Sequence, residues 1–438
     1  MNLTDEEKSW LAGDAGPALR RAMEIVVALG NIYGAERLIP VESVQISGVS
    51  YRNLGAAGLD FLRRWADEGA RVRVPTTLNP TAMDMQAWRD QGFSPDFAAK
   101  QQAVVDAFAQ MGVGEGHPIP TCTPYLIGNC PPPGASIAWA ESSAVSYANS
   151  VLGARTNREG GPGAIAAALT GRTAAYGLHR PEQRRATLHV IVETPLDAIS
   201  DYSALGALVG KAAANGVPYF TGLPLESGAP LWQEKLKALG AAMAATGAVA
   251  LYHVEDVTPE APAIEIAGCY PKCVETHSET RFNGFGVTAA RFNAPNNAPD
   301  ASPLVIRDLA PGYALVSDPV DAVDLVWIGC PQASLAEIKG VADMLDGRRL
   351  RVPLWITCAR PILEAAAAQG LTARIEAAGG RVFADACLAI APVRDLGFHA
   401  VATPSAKGAY YLRNLAGVKA RFAPLAMCVK MAEGRVRS

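Results

Sequence analysis

From Leu325 onward the chain alternates short apolar runs with Ala-rich helical runs, and few architectures accommodate that alternation. Leu325–Ile328 precedes a helix over Leu335–Leu345, and Pro353–Ile356 precedes one over Pro361–Gln369. Arg381–Ala384 and His399–Ala402 follow, the last leading into a helix over Ser405–Leu415. Strands separated by helices pair in parallel through right-handed crossovers, so the expected class is α/β, with mainly parallel sheets and helices on both faces. The same alternation runs less strictly from Pro181: His189–Val192, a helix near Tyr202–Ala214, Tyr219–Leu223, a helix near Trp232–Ala245, and Ala248–His253. Nearer the start, Thr4 ahead of Asp5, Glu6 and Glu7 reads as a helix N-cap, and a helix is expected through Arg20–Leu29. Strands are expected at Ser43–Ser47 and Arg71–Val74, with a helical stretch near Leu59–Ala66 between them. The expected parts are an N-terminal one over residues 1–180, a middle one over 181–300 and a C-terminal one over 301–438.

In open parallel sheets, ligands bind outside the carboxyl ends of the strands. Those positions carry Cys330 in Ile-Gly-Cys-Pro, Cys358 in Ile-Thr-Cys-Ala, Cys387 in Ala-Asp-Ala-Cys, and Ser405 with Lys407 in Thr-Pro-Ser-Ala-Lys. One cysteine there is often a plain buried hydrophobe, but three at equivalent loops carry more weight. None of their spacings is Cys-x-x-Cys, which argues against a thioredoxin motif or a zinc ribbon. Cys269-x-x-x-Cys273 with His277 is half of a zinc site whose second half is missing.

Charge removes other classes. With 39 Lys and Arg against 42 Asp and Glu, the net charge is −3, which fits neither a polybasic nucleic-acid surface nor an acidic tail. Only 18% of residues are charged and 50% are hydrophobic, so a large interior or interface is expected. Eight cysteines without a basic start and apolar h-region suggest a cytosolic, thiol-reduced protein. The uncharged run Gly116–Ala140 contains Pro118, Pro120, Pro124 and Pro131 to Pro133, a spacing that no lipid-exposed helix tolerates.

Glu141 is the only charged side chain from Gly116 to Ala154, a passage with Cys122 on one side and Ser142, Ser143, Ser146 and Asn149 on the other. So many buried polar groups call for a ligand or partner to satisfy them. Next, Thr156–Pro162 forms a Gly-rich turn opening a helix over Ala164–Leu169. That is a ready anion site with Arg158 as a clamp, and equally a capped helix with a surface arginine. It is neither a Walker A loop nor Gly-x-Gly-x-x-Gly.

Several segments together resemble the large subunit, or catalytic portion, of the aconitase X family. They are SVQISGVSY (Ser43–Tyr51), TTLNP (Thr76–Pro80), TCTPYLIGN (Thr121–Asn129), AWAESSAVSYANSVLGARTNREGG (Ala138–Gly161), IGCPQAS (Ile328–Ser334), DACL (Asp385–Leu388) and SAKGAY (Ser405–Tyr410). The resemblance runs in order from near Met1 to about Met431. It implies a cytosolic hydro-lyase with an aconitase-like multi-layer fold, closed by a small swivelling β-rich domain that is either fused or a separate subunit. Since the chain stops soon after the last motif, that domain is expected on a separate small subunit.

By motif, the resemblance places iron–sulfur ligands at Cys122, Cys330 and Cys387. A [4Fe–4S] cluster is its first choice, with [2Fe–2S] or a single iron behind it and Cys358 as a candidate fourth thiolate. It places substrate contacts at Gly48, Val49, Ser50, Asn79, Glu141, Ser142 and Lys407. The base is expected to be a serine of the swivelling domain, outside this chain. The family's substrates are cis-3-hydroxy-L-proline and 5-phosphomevalonate, and an Ala- and Arg-rich composition with few Lys and Ile favours the first. Arg158 and Lys407 would serve a carboxylate or a phosphate equally. Two competing readings are an iron-sensing RNA-binding protein, against which the net charge argues, and a zinc protein using the same thiols.

Overall fold

Thr4 opens the first helix, Asp5–Ala12, through a reciprocal cap. Its hydroxyl accepts from the Glu7 N–H at 3.2 Å, and the Glu7 carboxylate accepts from the Thr4 N–H at 2.9 Å. The computed structural model describes residues 1–264 and 302–435, so Cys269, Cys273 and His277 lie outside the described residues.

Three parallel sheets organise the chain. In the C-terminal sheet the spatial order is Gly380–Ala384, Leu354–Cys358, Leu325–Ile328, Ala400–Thr403 and Lys419–Phe422, every pair parallel. The middle sheet runs His253–Val254, Pro218–Thr221, Leu188–Val192 and Leu304–Ile306, also parallel throughout. In the N-terminal sheet Val44–Ile46 lies between Thr76–Leu78 and Ala138–Trp139, parallel to both. An antiparallel ribbon of Leu38–Pro40 with Arg172–Ala174 is the exception. The fold is therefore α/β with mainly parallel sheets. Among the described residues no helix is long and apolar enough to cross a membrane.

Strand alternation sorts the core. Leu354, Ile356 and Cys358 enter one apolar cluster with Val326 and Ile328, while Trp355, Leu325 and Trp327 enter another on the opposite face. The strand Leu325–Ile328 and the helix Leu335–Leu345 fall where the alternation placed them. The strand expected at Arg71–Val74 instead falls at Thr76–Leu78. The N–H groups of Val72 and Arg73 donate to Met111 O at 2.9 Å and Ala168 O at 2.8 Å, carbonyls at helix ends that lack an intrahelical partner. Ala248–His253 contracts to His253–Val254, and the helix Tyr51–Asp67 is broken at Gly55.

Two of the sheets are stitched together at their carboxyl ends. The Thr81 N–H donates to Asp385 O at 2.8 Å, and the Cys387 N–H donates to Thr81 O at 2.9 Å. Arg360 clamps the same seam between two buried carboxylates, Asp84 at 2.6 Å and Asp385. The strand-end loops of residues 47–48, 79–80 and 140–142 thereby face those of 329–330, 387 and 407.

Candidate active site

These loops enclose a cavity of about 500 Å³, lined among others by Gly48, Asn79, Cys122, Glu141, Ser142, Arg158, Cys330, Cys387 and Lys407. Nine of the residues singled out from sequence thus meet in one place. Val49 and Ser50 do not line it: Val49 is 1% exposed in the N-terminal core, and Ser50 is fully buried, its hydroxyl turned toward Ile390 O. Cys358 does not line it either. Strand parity sends its sulfur into the apolar cluster with Leu354 and Ile356, where it faces Phe383 O.

The three cavity thiols arrive by different routes. Cys122 follows the buried Thr121 and accepts the Gln332 N–H at 3.2 Å. Cys330 is in phase with Val326 and Ile328, yet joins the opposite cluster because Gly329, at φ 114°, redirects the chain. Cys387 follows Asp385, a residue at φ 64°. Burial pushes all three thiols up, Cys122 to about 12 and Cys387 to about 11, so metal binding must displace their protons. Among the described residues no three His, Cys, Asp or Glu side chains are grouped as a site for a single ion. Cys122, Cys330 and Cys387 come from three loops and line one space.

Glu141 and Lys407 form the polar centre. Lys407 is 4% exposed, pairs with Glu141 and donates to Ser143 Oγ at 2.8 Å. The carboxylate also accepts from Asn79 Nδ2 at 2.8 Å and from the Ser142 and Ser143 hydroxyls. Burial pushes Glu141 up, but Lys407 and Asn79 outweigh it and hold the acid near 2; the same pairing raises Lys407. Asn79 Oδ1 is buried without a donor. Arg158 is exposed at the cavity and, among the described residues, forms no ion pair. Beside it begins the helix Gly161–Thr170, whose N-cap Gly160 supplies no side-chain bond. Ser143, which bonds both partners of the central pair, stood in the hydroxyl-rich passage but was not among the substrate contacts that the resemblance implied.

Glu159 also borders the cavity, and burial pushes its carboxyl up to about 7, against a bond from Thr173 Oγ1 at 3.1 Å. A folded-state pKa above the ordinary 4.5 stabilises the fold below that pH, and the contribution is lost as pH rises through about 7. Glu159→Gln is therefore expected to stabilise the protein at pH 8, by up to about 3 kcal/mol, and to change little at pH 5. Thermal unfolding at both pH values checks this; a variant less stable than wild type at pH 8 would contradict it.

Residues 1–182 match the aconitase X first domain, 186–280 the second and 323–434 the third. The chain is 46% identical over 414 residues to the phosphomevalonate dehydratase large subunit of Methanothermobacter thermautotrophicus, covering 94% of each. It is 37% identical over 434 residues to the cis-3-hydroxy-L-proline dehydratase of Pseudomonas aeruginosa, covering 98% of this chain and 69% of that protein. The crystal structure of the holo-form of Thermococcus kodakaraensis aconitase X matches with a TM-score of 0.83 at 41% identity, over 99% of this chain and 100% of that one.

Proposed function

The chain belongs to the aconitase X family and is a dehydratase of the hydro-lyase class, and from that premise we propose that it removes water from 5-phosphomevalonate. Two observations support this substrate over cis-3-hydroxy-L-proline, which composition alone had favoured. The relatives at 43–46% identity carry the phosphomevalonate name, against 37% for the Pseudomonas aeruginosa relative. The observation that carries the reading is the pairing at the cavity of the exposed Arg158 with the helix N-terminus beside Gly160, two groups that suit a phosphate.

Cys122, Cys330 and Cys387 would hold the metal group, a [4Fe–4S] cluster ahead of [2Fe–2S] or a single iron. When bound, it supplies an open Lewis-acidic iron that helps hydroxide leave. Ionised Glu141 fixes Lys407 and Asn79 at the polar centre. That leaves Asn79 Oδ1 to accept a substrate hydroxyl, and it leaves the substrate carboxylate within the field of Lys407. Arg158 and the helix N-terminus take the phosphate. The base that removes the proton beside the carboxylate is expected from a serine of a small partner subunit, a partner that the relatives' name "large subunit" supports.

The test is turnover of both substrates by this chain combined with its small subunit. Dehydration of 5-phosphomevalonate, with cis-3-hydroxy-L-proline inert, supports the proposal; the reverse preference overturns it. Arg158→Met should lower kcat/KM for 5-phosphomevalonate by about ten- to a hundredfold, the loss of one charge-assisted contact of roughly 1.5–3 kcal/mol. Wild-type kinetics in that variant would remove Arg158 from the phosphate site.

A further inference from the structure

The geometry points to Gln332 as a positioning residue that fixes the three cavity thiols relative to one another, an inference that rests on reading those thiols as metal ligands. Each thiol-bearing loop contacts Gln332 within two residues of its cysteine. Gln332 stands two residues after Cys330 in Cys330-Pro331-Gln332. Its backbone N–H donates to Cys122 Sγ at 3.2 Å, and its side-chain Oε1 accepts from Thr121 Oγ1 at 2.7 Å. Its Nε2 donates to Ala386 O, next to Cys387, at 3.3 Å. One side chain, 1% exposed, thus joins segments more than 200 residues apart along the chain.

The residue is itself held from behind. Lys237 Nζ, on the helix Trp232–Gly247, donates to Gln332 O at 3.3 Å and pairs with Glu337, which closes a reciprocal cap with Ser334. The Ser334 hydroxyl donates to Glu234 Oε1 of the same helix at 2.9 Å. The middle sheet lines none of the cavity, yet its helix anchors the residue that gathers the thiols. A buried amide with every polar group engaged is a rigid spacer, because any shift of one loop breaks bonds to another. Ligands held in place by outer partners keep their metal longer.

A bond network of this kind also adds stability, so the experiment needs a matched control. Gln101 is fully buried and has a similar two-ended role elsewhere, accepting from the Tyr51 N–H at 3.1 Å and donating to Val49 O at 2.9 Å. Wild type, Gln332→Met and Gln101→Met are reconstituted with ferrous iron and sulfide. Thermal unfolding is recorded for each metal-free chain, and loss of iron to a chelator is followed by absorbance. Gln332→Met is expected to release iron at least tenfold faster than wild type, and Gln101→Met at the wild-type rate despite a comparable fall in unfolding temperature. Release from Gln332→Met at the wild-type rate, or equal acceleration in Gln101→Met, overturns the inference while the ligand assignment stands. A wild-type chain that takes up neither iron nor sulfide removes the ligand assignment, and this inference with it.

Discussion

Lys407→Met is expected to destabilise the protein by about 3–5 kcal/mol and to lower activity at least about a hundredfold, while adding Glu141→Gln restores most of the stability and none of the activity. The asymmetry follows from the burial of the pair. Lys407 is 4% exposed and the Glu141 side chain, 16% exposed at the cavity, is held near 2 by it, so removing the cation leaves a largely buried carboxylate with Asn79, Ser142 and Ser143 as its hydrogen-bond donors. Breaking a buried pair from one side costs far more than replacing both members with neutral groups. Activity behaves differently because both groups border the cavity. Urea unfolding at pH 7 and initial rates, measured on the two single variants and the double, separate the effects. A single variant within about 1 kcal/mol of wild type would mean that the pair contributes little to the fold.

Gly329→Ala should be comparably severe, lowering stability by about 4 kcal/mol or displacing the Cys330 loop from the cavity. A Cβ at this position would lie 2.2 Å from Thr357 O and 2.6 Å from Thr357 Oγ1, on a backbone at φ 114° that L-residues rarely adopt. Gly69 provides the control: its φ is 82°, but a Cβ there meets nothing within 4 Å. Gly69→Ala isolates the backbone cost, roughly 1–2 kcal/mol, and the difference between the variants measures the collision with Thr357. Equal unfolding midpoints for the two would remove the steric argument.

Gly329 also marks the limit of what alternation can reveal. Counting by twos from Leu325 gives the strand, the helix after it and the fact that a thiol lies at the strand's end. The same count puts Cys330 and Cys358 on one face, each in phase with its strand's apolar residues. Only Cys358 obeys it; the turn at Gly329 carries Cys330 to the cavity, and a backbone angle leaves no periodic trace beyond the glycine itself. Arg71–Val74 failed for a related reason. Its residues suit a strand, but their N–H groups are taken by the ends of two helices distant in sequence. Family motifs located the strand-end loops yet could not separate Gly48, which borders the cavity, from Val49 and Ser50, which pack behind it. Ser143 was visible only as one hydroxyl among several in its passage and Gln332 only as part of a motif, since their importance lies in bonds to loops far along the chain.

The seam between the first and last sheets sets a timetable for biosynthesis. Cys387 leaves the ribosome roughly 265 residues after Cys122, an interval of about 10–60 s at ordinary translation rates. Until Gln332 is made, 210 residues after Cys122, the first thiol lacks its N–H, and until Cys387 is made the cavity lacks its third sulfur. The loops enclosing the cavity are joined by the bonds of Thr81 to Asp385 and Cys387, contacts of very long sequence separation that are slow to form. On the proposed metal assignment, a nascent chain stalled before Gly380 lacks the third thiol, so loading belongs to a polypeptide that has extended past Cys387.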